Sequence, residues 1–186
     1  MTFTIRPRPS VRVRLAAQLP LAATLGAVAV WATGVQPVLL VFLYLAAVTG
    51  ELCRVDVAEH RLPNAILLPG YALAAVALVW LAMLAAEAVV VPLAAGAGFL
   101  SFLLVMNLAG GVGMGDVKLA GLLGIGLGSL GLTAAVAGPV LAFVTGGIGG
   151  LVALLVPGGS TLHRIPFGPY LLLGFWATVV FARLSA

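Results

Sequence analysis

The sequence predicts an all-α fold: a polytopic transmembrane bundle of about six to seven helices. Three observations carry that expectation. Hydrophobic residues make up 63% of the 186-residue chain, against about 45–50% in a soluble domain. Only 8% of residues are charged, too few to coat a water-exposed surface. The apolar residues also fall into runs close to the length of a bilayer crossing, about 20 residues each. Mean hydropathy is correspondingly high, at +1.25.

Read in order, residues 1–12 form a basic arm, with Arg6, Arg8 and Arg12 among Pro7, Pro9 and Ser10. Residues 13–186 form the transmembrane domain. Its apolar stretches lie at 13–34, 36–55, 65–85, 88–109, 117–132, 134–156 and 166–184. The first contains "AVA" at 27–29, a small-residue pattern that signal peptidases cut. Its apolar run continues past that point, which favours an uncleaved anchor. The stretches are separated by turn chemistry: Gly34 to Pro37, Leu62–Pro63–Asn64, Pro92, the glycines of 110–115, Gly138–Pro139 and Pro157–Gly158–Gly159. The fifth stretch is short and glycine-rich. Gly124 with Gly128, and Gly146 with Gly150, are spaced four apart on expected helices, a pattern that lets helix backbones approach closely.

The charges report topology. With the basic arm in the cytoplasm and seven crossings, Arg6, Arg8, Arg12, Arg14, Arg54, Arg61, Lys118 and Arg164 all fall inside. Only Arg183 falls outside, so the chain follows the positive-inside rule. The net charge of +4 therefore indicates a lipid bilayer, not a nucleic acid, as the partner of the basic residues. The single cysteine, Cys53, excludes a disulfide framework and a four-cysteine metal site. It reads as a small packed residue, and no metal ligand set is visible.

An ionisable group inside a bilayer costs about 2.5–3.5 kcal/mol near the centre, so each of the five acids needs a reason. Glu87 falls on an outer turn and Glu59 in a polar loop with His60 and Arg61, where water suffices. Asp56 lies at the cytoplasmic end of the second helix and Asp116 at the cytoplasmic start of the fifth. The threading brings both to one face at similar depth. Two carboxylates sharing a site do not both ionise easily, so one keeps a proton while the other acts as a base. That asymmetry suits amide hydrolysis: one carboxylate deprotonates water and the other hydrogen-bonds the scissile carbonyl. Glu51 precedes Asp56 by five residues and points to another side of the helix. It either lines a polar path for water or bonds a neighbouring helix.

The run "GGVGMGD" at 110–116 suits the same purpose. An unwound glycine strand exposes backbone N–H and C=O groups to which an extended substrate can pair, and glycine tolerates the close approach. Taken alone, the run also reads as a joint between helices, with the aspartate as a helix cap.

Together the motifs are more specific. "GMGD" with its continuation "VKL" resembles the G-x-G-D signature of intramembrane aspartyl proteases, in its prepilin peptidase form. "DVAEHRLPN" at 56–64 resembles that family's other element, an aspartate, a polar spacer and Leu-Pro-Asn. "IPFGPYLLLG" at 165–174 is similar to its Ile-Pro-Phe-Gly-Pro stretch. Order and spacing agree over about residues 40–180. The chain thus resembles the type IV prepilin (leader) peptidases.

The resemblance implies a membrane-embedded aspartic endopeptidase that needs no cofactor. It would remove the short basic leader from type IV or Flp-like prepilins at the cytoplasmic face of the bacterial inner membrane. Asp56 and Asp116 would be the catalytic pair, with Gly113 and Gly115 shaping or binding at the substrate strand. Lys118 would either tune the pair or stand as an interfacial cation. Pro63 and Asn64 would shape the loop and cap the third helix, and "IPFGP" would reopen the last helix beside the site. Larger members of that family carry a cytoplasmic insertion with two C-x-x-C pairs and N-methylate the product. With one cysteine and no such insertion, this chain resembles the short, peptidase-only members. Two other functions stay open on sequence: another G-x-G-D protease, such as a preflagellin-type enzyme, and a proton-coupled small transporter using Glu51, Asp56 and Asp116 as a relay.

Overall fold

The computed structural model describes residues 11–155 and 166–185. The arm at 1–10, the Pro157–Gly158–Gly159 break, Arg164 and Ile165 lie outside the described residues. Seven helices follow one another: α1 (Val11–Thr33), α2 (Leu39–Glu59), α3 (Asn64–Leu84), α4 (Val90–Leu108), α5 (Met114–Ser129), α6 (Leu132–Leu155) and α7 (Gly168–Leu184). Among the described residues there is no strand. α3, the stretch Ala86–Leu108 and α6 are long and apolar enough to cross a membrane, while α7 and the apolar part of α1 are shorter.

α5 occupies the middle of the bundle. From Asp116 to Gly128 nearly every side chain is buried, the signature of a helix enclosed on all sides. At 16 residues it is about 24 Å long. α3, α4, α6 and α7 pack against it. Leu119, Leu122, Leu123 and Leu127 from α5 meet Phe42 and Leu45 of α2, Leu67 of α3 and Leu103 of α4 in one cluster. Leu171, Leu172 and Phe175 of α7 complete it. α1 adds Ala29, which is fully buried. At the far end of the bundle from the site described below, Arg183 Nε donates to Trp31 O at 3.2 Å and joins the ends of α7 and α1.

Glycine sets the spacing of α4 and α5. A Cβ placed on Gly124 would stand 2.6 Å from Ala95 O, and one on Gly128 would stand 2.7 Å from Pro92 Cα. Gly96 of α4 answers with its own close approach to Ile125. The four-residue spacing read from the sequence is therefore the contact face of this pair. Of the second spaced pair, Gly146 lies beneath the Phe167 ring, where a Cβ would stand 2.8 Å from Cε2. Gly124→Val should force α4 and α5 apart at backbone atoms that cannot rotate away, at a cost of about 1–3 kcal/mol or more. A fall of several degrees in the thermal midpoint of the detergent-solubilised protein is expected, and an unchanged midpoint would refute this account of the packing.

Two expected breaks are placed differently. Pro92 sits inside the first turn of α4, after a 3₁₀ turn at Ala86–Val89 that carries Glu87. Gly138–Pro139 lies within α6, because neighbouring helices make proline tolerable inside membrane helices. The reversal between α5 and α6 is made instead by Gly131, whose φ of 113° only glycine adopts readily.

Candidate active site

Asp56 and Asp116 come together at one end of the bundle. Asp56 occupies the last turn of α2 and Asp116 the first turn of α5. Both are buried, at 3% and 8% exposure. They stand in the common wall of two cavities, of about 310 and 380 Å³, together with His60 and Gly113.

Each carboxylate is held by a glycine amide at a helix N-terminus. Gly168 N donates to Asp56 Oδ2 at 2.8 Å, so the amide end of α7 points at Asp56. Gly113 N donates to Asp116 Oδ2 at 3.3 Å, and Asp116 N returns a bond to Gly113 O at 3.1 Å. Asp116 thus does serve its own helix as a cap, through one oxygen. Its other oxygen, Oδ1, is buried and has no hydrogen-bond partner among the described residues. A carboxylate oxygen kept from water without a donor is costly. Capping explains half of Asp116 and leaves Oδ1 for something else.

The remaining motif residues build the frame. Gly115 is not part of an unwound strand: it lies in the first turn of α5, and a Cβ there would stand 2.8 Å from Leu62 Cβ and 3.0 Å from Leu62 N. The missing side chain lets the start of α5 rest on the Leu62–Pro63–Asn64 loop. The non-helical run is confined to the turn ending at Gly113, with Gly110 at φ 84°. Pro63 takes the N-cap position of α3 in extended conformation, and Asn64 opens the helix. Asn64 Oδ1 accepts from Lys118 Nζ at 2.9 Å, so Lys118 ties α5 to α3 while lining the larger cavity. Below it, the Tyr71 hydroxyl donates to Lys118 O at 2.7 Å.

Sequence reasoning missed two contributors. By sequence His60 belongs to a solvated loop, yet it lines both cavities. It ends α2 with φ 50°, the only positive φ outside glycine among the described residues, and its N–H donates to Asp56 O at 2.8 Å. A polar residue able to take the left-handed conformation directly after a helix was the available signal. The second is the apolar wall of the smaller cavity, made by Met106, Val112, Phe143, Pro166 and Phe167. Val112, Pro166 and Phe167 lie in the glycine run and the "IPFGP" stretch expected beside the site, whereas nothing local in the sequence announces Met106 and Phe143.

Glu51 belongs to neither cavity. It accepts from Gln18 Nε2 at 2.9 Å and from Arg54 Nε at 2.9 Å, and pairs with Arg54 through its second oxygen. The bond to a neighbouring helix, here α1, is one of the two roles open to it. Cys53 packs half-buried against the core. No group of three or more His, Cys, Asp or Glu among the described residues is placed to hold a metal ion.

The model of the type IV leader peptidase family matches residues 37–155, more than half of the chain and including both aspartates. No curated protein and no solved structure matches significantly.

Proposed function

The chain belongs to the type IV leader peptidase family, and we propose that it is an aspartic endopeptidase whose catalytic pair is Asp56 and Asp116. Its substrate is a type IV or Flp-like prepilin, cut after the short basic leader at the cytoplasmic face of the bacterial inner membrane. The observation that supports this most directly is the pair itself, two buried carboxylates facing shared cavities, each fixed through one oxygen by a glycine N–H.

The chemistry follows from that arrangement. The pair carries one proton. The ionised carboxylate takes a proton from water while the protonated one hydrogen-bonds the scissile carbonyl oxygen, and the water oxygen bonds to the carbonyl carbon. The tetrahedral diol then collapses as a proton passes from the pair to the amide nitrogen. The C–N bond breaks, and the leader leaves with the new carboxylate. The titration belongs to the pair and not to either aspartate. The one-sided distribution of cations supports the cytoplasmic orientation.

The test is cleavage in proteoliposomes of a probe with a basic leader, a glycine and an apolar helix, read by mass spectrometry. A single cut after the glycine is expected, and an intact probe would overturn the reading. Because the pair activates water by itself, EDTA and 1,10-phenanthroline should leave the rate unchanged. Loss of activity restored by added zinc would replace the aspartic mechanism with a metal-assisted one.

A further inference from the structure

α4 rests mainly on α5, and α6 rests mainly on α7. The seam between α4 and α6 is left as an apolar groove of about 390 Å³, lined along α4 by Val90, Ala94, Gly98 and Phe102 and along α6 by Val136 and Pro139. We propose that this groove docks a membrane-spanning helix of the substrate and delivers the segment preceding that helix to the two aspartates. The inference rests on the peptidase reading above.

Three observations on the structure support that occupant. The first is continuity. Phe102 of the groove stacks edge-on against Phe143, ring centroids 5.4 Å apart, and Phe143 lines the catalytic cavity. The ring pair is the threshold between groove and site. The second is direction. α4 runs unbroken from Val90 in the groove to Met106, which lines the catalytic cavity, a rise of about 24 Å. A helix laid along it ends beside the cavity that holds Asp116.

The third is Gly98. Gly96, Gly121, Gly124 and Gly128 all meet close neighbours within the bundle, but nothing lies within 4 Å of a Cβ built on Gly98. Its missing side chain serves no packing inside this chain. It deepens the groove, and small residues on a membrane helix face are what allow a second helix to approach closely. Because the space is open, a larger side chain there fills the groove without straining the fold.

The experiment compares two probes: the helix-bearing probe described above, and a water-soluble peptide with the same cleavage site but no helix. Gly98→Leu should lower the ratio of kcat/KM for the first to that for the second about tenfold, through KM. Val136→Trp, which narrows the groove from the α6 side, should do the same, and Val79→Trp on the exposed face of α3 should not. An unchanged ratio in both groove variants, or an equal fall with Val79→Trp, would overturn the proposal. Failure of the wild-type chain to cut either probe would instead count against the peptidase reading.

A second measurement does not need turnover. A photo-crosslinking benzoylphenylalanine replaces Val136 in the Asp116→Asn variant, and the irradiated adducts are identified. An adduct to the helix of the probe supports docking. Adducts to lipid alone, or to a second copy of the chain, would assign the groove to those occupants and refute it.

Discussion

Asp56→Asn and Asp116→Asn should each abolish leader cleavage, lowering kcat by at least about a thousandfold while the protein remains folded. The size follows from the division of labour. General acid and base assistance is worth about 10²–10⁴-fold, and an asparagine can neither take the proton from water nor pass one to the leaving amide. The two losses should not add, because the carboxylates act as one unit. The double variant should therefore be about as inactive as either single one.

Folding should survive because the amide oxygen of asparagine still accepts from the same donors. Gly168 N reaches Asp56 Oδ2 at 2.8 Å and Gly113 N reaches Asp116 Oδ2 at 3.3 Å. Replacing a crowded pair of buried carboxylates with a neutral amide also relieves repulsion, so the thermal midpoint should hold or rise. A gel shift of a co-expressed prepilin, together with thermal unfolding in detergent, measures both quantities. Cleavage at the wild-type rate in either variant would remove that residue from the catalytic pair.

The helical bundle was legible because membrane insertion is read from composition and run length, both of which survive in a bare sequence. The expected stretches and α1 to α7 agree to within a few residues. The differences have local causes. Gly138–Pro139 reads as a break by soluble-protein rules, yet in α6 the surrounding helices absorb the lost hydrogen bond. Gly131, a single residue with no turn-forming neighbour, makes the true reversal. α5 lies inside the bundle, where its glycines let α4 approach closely.

At the site, the two aspartates and their glycines could be located because each lies in a short motif. The contacts that orient Asp56 could not. Gly168 is 112 residues away in sequence, and "FGP" reads by itself as the start of a helix. Its second service, to Asp56, exists only once α7 is folded against α2. The apolar wall is hidden for the same reason, since Phe143 and Met106 sit in stretches that are apolar throughout. For Gly115 the sequence shows the need for space but not the neighbour that takes it, which is Leu62 of the same chain.

Gly168→Ala should cut the rate about a hundredfold, although residue 168 performs no chemistry. A Cβ built on Gly168 would stand 2.8 Å from Asp56 Oδ2, closer than real Cβ atoms pack, and 3.2 Å from its Cγ. Something must move, and the carboxylate at the end of a short side chain moves more easily than the backbone of α7. The Asp56 head group then leaves the position fixed by the Gly168 N–H. A misplacement of about 1 Å at a reacting group costs on the order of 10²-fold in rate. The expected result is a fall in kcat of that order with KM nearly unchanged, since the groove and the apolar wall remain in place. The fold itself has little at stake: Gly168 has no left-handed φ to lose, and the side chain displaced is a polar one. The thermal midpoint should therefore stay within a few degrees of wild type. A matching fall in both midpoint and activity would mean that Gly168 is needed only to seat α7, and full activity would mean that its N–H does not set the position of Asp56.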